Sequence, residues 1–161
     1  MPTTYTTLQY DQGAKLRATS EQPQWYSVTF QLADGGALAD SDVIKFAKLG
    51  ANQKVLQYSL GCDASFASSC ADDGVITVGS TDIDTSVEGD TIAVADRTNL
   101  ESVAVAHVSA DDDDLKFTVG NLTTASTSGV RKLTLSVQLQ QQNSASAARY
   151  STIDYSSSYP L

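Results

Sequence analysis

Histidine, cysteine and acid are the side chains in this sequence that could do chemistry, and none stands in a pattern that chemistry requires. His107 is the single histidine. A hydrolytic triad needs it beside a nucleophile and an orienting carboxylate. The sequence has no G-x-S-x-G elbow, no P-loop and no G-x-G-x-x-G, and His107 falls in a Val-rich, patterned run where a packed or rim imidazole is the plainer reading. Glycosidase chemistry asks for two carboxylates of unequal pKa; with 19 acids some pair can always be drawn, so the pairing singles out nothing. Cys62 and Cys70 lie in GCDASFASSCADD, short of the four ligands of a structural zinc site. They stay thiols in a reducing cytoplasm, and a disulfide closing the short loop between them is geometrically possible in an oxidising medium. Asp40 with Asp42, Asp72 with Asp73, Asp82 with Asp84, and the aspartates at 111–114 offer oxygen ligands for Ca²⁺, without EF-hand spacing. Solvated turns are the plainer reading, and we expect no enzyme, cofactor or metal site.

A contrast between the ends and the middle is the stronger signal. Residues 1–24 and 140–161 carry no net charge and hold five of the seven tyrosines, Tyr5, Tyr10, Tyr150, Tyr155 and Tyr159. Residues 25–139 carry the whole net charge of −9 and nearly all the apolar runs. This divides the chain into an N-terminal arm (1–24), a body (25–139) and a C-terminal arm (140–161). Arms of this composition bury too little apolar surface to order alone. Tyrosine offers large contact area with few rotatable bonds, so the five tyrosines are expected to anchor the arms on a partner. Simple fraying of both ends is the competing reading.

The elements that would position any site are strands. Asp (16) far outnumbers Glu (3), and Ser (20) and Thr (17) are abundant; such a composition favours acidic turns between strands over helices. In WYSVTFQL, Tyr26, Val28, Phe30 and Leu32 alternate against Trp25, Ser27, Thr29 and Gln31, the mark of a half-buried strand. Further strands are expected at 42–49, 54–60, 75–78, 91–95, 115–122 and 130–139. In the last, Arg131, Leu133, Leu135, Val137 and Leu139 share a face. Residues 98–108 fit both a capped helix, through Thr98 and Glu101, and a Val-rich strand; strand is preferred. The aspartates at 111–114 are expected to form a solvated turn. Seven to eight strands without a firm helix imply an all-β fold, a β-sandwich or jelly-roll-like body. The polar segment beyond 139 reads as an arm, with a short helix at 144–150 as the alternative.

Partners are bounded by charge. A pI near 4.3 and the absence of a basic block disfavour nucleic acid and anionic membrane surfaces. No stretch approaches the length of a spanning helix. MPTTYTTLQY has neither a basic nor an apolar signal region, so synthesis in a cytoplasm is expected.

The stretch SDVIKFAKLGANQKVLQYSL resembles a pattern common in head-decoration, or cement-like, virion proteins of tailed bacteriophages. There a Gly-Asp-Val-Ile-type strand is followed by an apolar-basic run, a short turn and a Val-rich strand. The matching residues are Asp42, Val43, Ile44, Lys45, Phe46, Lys48 and Leu49, then Val55 and Leu56. Ser41 stands where Gly is usual, and Gly50-Ala51-Asn52 replaces a Pro-containing turn. A looser likeness of layout extends over 41–139. The resemblance implies a β-sandwich on the exterior of an icosahedral head, self-associated, often as a trimer, and bound to the major capsid protein. A tail, fibre or receptor-binding module is the alternative role.

Overall fold

The computed structural model describes residues 1–142. The chain runs through β1 (Thr4–Thr6), α1 (Leu8–Asp11), β2 (Lys15–Leu16), β3 (Gln24–Leu32), β4 (Val43–Leu49), β5 (Gln53–Cys62), β6 (Ala67–Cys70), β7 (Gly74–Val78), β8 (Thr81–Val87), α2 (Asp90–Ala93), β9 (Thr98–Ser102), β10 (Asp113–Thr118), β11 (Leu122–Ala125) and β12 (Arg131–Gln141). One sheet has the order β1–β4–β10–β7–β8, with β2 also lying on β4. The other is β3–β12–β5–β9, antiparallel throughout. β6 and β11 make a short ribbon of their own. The expected β-sandwich is the architecture.

Alternation places the core between the sheets. From β12 come Leu133, Leu135, Val137 and Leu139, from β3 Val28, Phe30 and Leu32, all buried. The other sheet answers with Ile44, Phe46, Leu115, Phe117, Ile76 and Val78. Each such side chain contributes about 1.5–3 kcal/mol by leaving water. One polar bridge crosses the core: Tyr58 on β5 donates to Asp84 Oδ2 on β8 at 2.8 Å. Burial and the neighbouring carboxylate push the Tyr58 pKa well up, so the phenol remains a donor.

A bulge in β4 gives that strand its unusual character. The ladder to β10 slips between Leu115 and Lys116, pairing Leu115 with Ala47 and Lys116 with Lys45. Phe46 is the extra residue, so Phe46 and Ala47 are both buried and the alternation changes phase. Lys45 and Lys48 consequently both emerge on the outer side.

Several segments differ from their sequence expectation. Residues 91–95 are not a strand: Val94 N donates to Asp90 O at 2.9 Å, closing the turn α2 and burying Thr91 and Ile92. Phe66 N then bonds Ile92 O at 2.8 Å, tying that turn to the cysteine loop. Within 98–108 only the first half is a strand, paired to β5; Ala104 and Val105 N–H groups both turn to Ile83 O. The expected strand 115–122 is two elements, β10 ending at Thr118 and β11 opening at Leu122. β12 continues two residues past the expected boundary at 139, because Gln140 and Gln141 still pair with β5. β8 shows no clean alternation in the sequence, since Ile83 and Asp84 are adjacent and both buried, where the ladder to β7 slips twice.

Candidate docking interface

Residues 1–24 do not hang free as an arm; they complete a sheet edge. β1 and β2 lie in parallel along β4, with Tyr5 opposite Ile44 and Lys15 opposite Lys48. The buried carboxylate of Asp42 fixes the start of this segment, accepting from Thr3 N at 2.7 Å and Ala39 N at 2.8 Å. Thr7 then does two jobs. Its hydroxyl donates to Phe46 O at 2.5 Å and accepts from Tyr10 N at 3.1 Å, capping α1. The side of β4 away from β10 explains why this polar sequence orders, since β1 and β2 pair with main-chain groups there that would otherwise be open: main-chain pairing supplies what side-chain burial cannot.

Both N-terminal tyrosines take part in this docking, Tyr5 against the core and Tyr10 over the outer side of β4. The Tyr5 ring packs on Phe30 with centroids 5.4 Å apart, and its hydroxyl donates to Ala37 O at 3.2 Å. Burial and the Asp42 charge raise its pKa. The Tyr10 ring receives Lys45 Nζ and Lys48 Nζ, each 5.3 Å from its centroid. Tyr150, Tyr155 and Tyr159 lie outside the described residues, as does the alternative helix at 144–150.

The aspartates at 111–114 are not merely a solvated turn. Asp113 and Asp114 open β10. Lys15 Nζ meets Asp111 at 2.9 Å and Asp112 at 3.1 Å, and Arg17 reaches Asp111 at 3.7 Å. Asp114 takes Lys45 at 2.9 Å and Lys48 at 3.7 Å. Partial burial would raise the Asp114 pKa, but Lys45, Tyr10 and Lys48 together hold it below the ordinary carboxylate value. The Lys15 contact likewise lowers Asp111. The acidic run is thus the counterion of the N-terminal segment and the strand beneath it.

The acidic doublets serve main-chain amides and side-chain hydroxyls. Asp40 accepts from Leu122 N, Asp72 from Gly89 N at 2.6 Å, and Asp73 from Asn121 N at 3.1 Å. Gly89 is required there, because a Cβ would stand 1.9 Å from Cys70 O. Asp82 accepts from Thr77 Oγ1 at 2.8 Å. Among the described residues no three His, Cys, Asp or Glu side chains converge as metal ligands. His107 Nε2 lies 3.7 Å from Asp113 and has no hydrogen-bond partner among the described residues. Cys62 and Cys70 are free thiols, with no disulfide between them. Cys62 is buried at the end of β5, its thiol aimed at Val94 O, 3.6 Å away. Cys70 stands on β6, and the intervening Phe66 is buried in the core. Burial first, then neighbouring aspartates, pushes both thiols up to about 11; neither is a nucleophile at neutral pH.

Sequence reasoning missed the outer face of the β3–β12–β5–β9 sheet. Its polar side chains bond to one another across the strands: Ser27 with Ser136 at 2.6 Å, Thr29 with Thr134 at 2.9 Å, and Gln57 with Gln138 at 2.9 Å. At one edge Trp25 is 47% exposed, and at the other Leu100 is 61% exposed. No outward-facing residue within 25–31, 57–61, 98–102 or 134–138 is charged, and Lys132 stands at the end of the face. The signal was present in the outward alternation positions, which only strand order could assemble into one surface.

No family model matches this sequence, and no curated protein matches it. Solved structures do share its fold. A chain in the structure titled "Capsid of Ralstonia phage GP4" superposes with a TM-score of 0.59 at 15% identity, over 88% of this chain and 99% of that one. A chain in "Cyanophage Pam1 capsid asymmetric unit" does so with a TM-score of 0.53 at 14% identity, over 80% and 91%. The sandwich is therefore a fold found in chains of phage capsid structures, in keeping with the resemblance carried by the stretch at 41–60.

Proposed function

We infer that this protein is a structural protein of a phage head, a decoration or cement protein that binds the outside of the shell and holds neighbouring major capsid subunits together. The observation that carries this reading is the likeness of fold to a chain of the GP4 capsid, covering 99% of that chain. The likeness spans both sheets of the sandwich rather than one of them, since 88% of this chain takes part. Charge supports the exterior placement. A chain of net charge −9 is repelled by packaged DNA, so the outer surface is where it sits at least electrostatic cost. Among the described residues His107 Nε2 has no hydrogen-bond partner, burial raises both thiol pKa values, and the buried Asp42 carboxylate accepts from main-chain amides.

The test is cosedimentation of the full-length protein with preassembled heads of its own virus that lack it, followed by heating. Binding in a fixed ratio to major capsid subunits, with heads surviving a higher temperature, is the expected result. Heads that neither bind it nor gain heat resistance overturn the reading. Binding to host cells instead supports the fibre or receptor role.

A further inference from the structure

The uncharged outer face of the β3–β12–β5–β9 sheet is the surface on which this acidic chain can be covered at low cost. Two copies brought together elsewhere would tend to oppose carboxylates across the contact, since the acids of the described residues are spread over the loops, α1, α2 and the other sheet, with Glu101 of β9 on the inward side opposite Tyr58. Here there are none to oppose. In each of the pairs Ser27–Ser136 and Thr29–Thr134 one hydroxyl already donates to the other, so covering them forfeits fewer bonds to water than covering free hydroxyls would.

We propose that a second copy of this chain docks on this face, the two β3–β12–β5–β9 sheets stacking outer face to outer face about a two-fold axis parallel to the strands. The positions of the two exposed apolar side chains argue for this occupant. Trp25 is on one edge strand in the row Trp25–Gln138–Gln57–Ser102. Leu100 is on the opposite edge strand in the adjacent row, Ser27–Ser136–Ser59–Leu100. A two-fold axis along the strands lays β3 of one copy over β9 of the other. Each Trp25 then lands beside Leu100 of the second copy, one row away and within reach of an indole. The contact is isologous and made twice. Its area sets its strength. Four strands about 4.8 Å apart by seven residues of about 3.3 Å give a face of roughly 450 Å² on each copy. That is about 900 Å² in all, at the weak end of specific interfaces, so the dimer is concentration-dependent. This stands independently of head binding.

Sedimentation equilibrium of the full-length chain, from one to several hundred micromolar, reads the proposal directly. The expected result is a mass rising from 17.0 kDa towards twice that value. Trp25→Glu and, separately, Leu100→Glu each weaken association at least tenfold, with unchanged far-UV circular dichroism confirming the fold. Leu8→Glu, which charges a still more exposed apolar residue on α1, leaves association as it was. Three outcomes overturn the proposal: a wild type that stays at 17.0 kDa throughout; a dimer indifferent to both Trp25→Glu and Leu100→Glu; or a Trp25 emission already blue-shifted in the monomer that moves red on removal of 143–161, which would make the chain's own end the occupant.

Discussion

Arg131 occupies an inward-facing position of β12, where the alternation shared with Leu133, Leu135, Val137 and Leu139 would put an apolar side chain. It is fully buried, and no carboxylate lies within ion-pair distance among the described residues. Its donors go instead to carbonyls. Nε reaches Gly129 O at 3.0 Å, Nη1 reaches Ser126 O, and Nη2 reaches Ala33 O at 3.1 Å and Gly36 O at 2.7 Å. The guanidinium also covers Phe66, 5.8 Å from the ring centroid. One planar fork thus ties the loop leaving β3 to the loop entering β12. Arg131→Met retains bulk but strands these carbonyls, and it should cost about 3 kcal/mol or more in urea unfolding, since each buried group left unpaired costs about 1–3 kcal/mol. Arg131→Lys should recover little, because an ammonium cannot span four carbonyls arranged for a fork. If Arg131→Lys unfolds within about 0.5 kcal/mol of wild type, the fork geometry is not what matters.

At the scale of elements, the N-terminal segment is held by main-chain pairing to β4 and by charge, and the charge can be titrated away. Asp114 and Asp111 have pKa values lowered below 3.8 in the folded chain. For a carboxylate lowered in this direction, the stabilisation is complete above the unfolded value and is lost as pH falls through the folded one. Acidification below 3.8 should therefore release Lys15, Lys45 and Lys48, and with them the Tyr10 platform, before the apolar sandwich opens. Hydrogen-exchange protection of residues 4–16 should fall first, while β12 keeps its protection. Asp114→Asn should show part of that loss already at pH 7, with a global destabilisation of about 1 kcal/mol or less. Simultaneous loss of protection in both regions would mean the segment is bound by pairing alone. This latch also shows where sequence reading stops. β3 and β12 were legible because one face is buried and the other wet, which prints a period of two on the residues. β1 and β2 were not, because three- and two-residue strands are held by their main chain and need no apolar pattern. α2 was misread for the complementary reason: Thr91, Ile92 and Val94 favour strands intrinsically, but burial of Ile92 under the Phe66 loop decides the local conformation. The aspartate doublets looked like turn decoration, since nothing in Asp72-Asp73 announces that Gly89 and Asn121 will arrive from elsewhere in the chain.

For the whole molecule, the contrast between ends and middle resolves unequally. The first 24 residues add β1 and β2 to the sandwich, and a docking role for the partly exposed Tyr5 and Tyr10 stands as a proposal. The C-terminal segment keeps that role as a proposal. β12 is paired on both sides, and its last described bond is Gln142 N to Asn52 O at 2.8 Å. The strand's partners in β3 and β5 all precede residue 142, so the central strand of this sheet is fully paired by Gln141. Deleting residues 143–161 should accordingly leave the urea midpoint and far-UV spectrum of the body unchanged, within about 0.5 kcal/mol. The same deletion removes Tyr150, Tyr155 and Tyr159. If those rings grip a neighbouring capsid subunit while the body sits on the shell, each contact is intramolecular once the body is bound, and modest contacts multiply into a large affinity. Affinity of the truncated chain for heads should then fall at least tenfold. Triple substitution of the three tyrosines by Ser should reproduce most of that loss in the full-length chain. A truncated chain that binds heads as well as the intact one would place docking on the body alone, and a truncated chain that unfolds would move the boundary of the sandwich beyond Gln142.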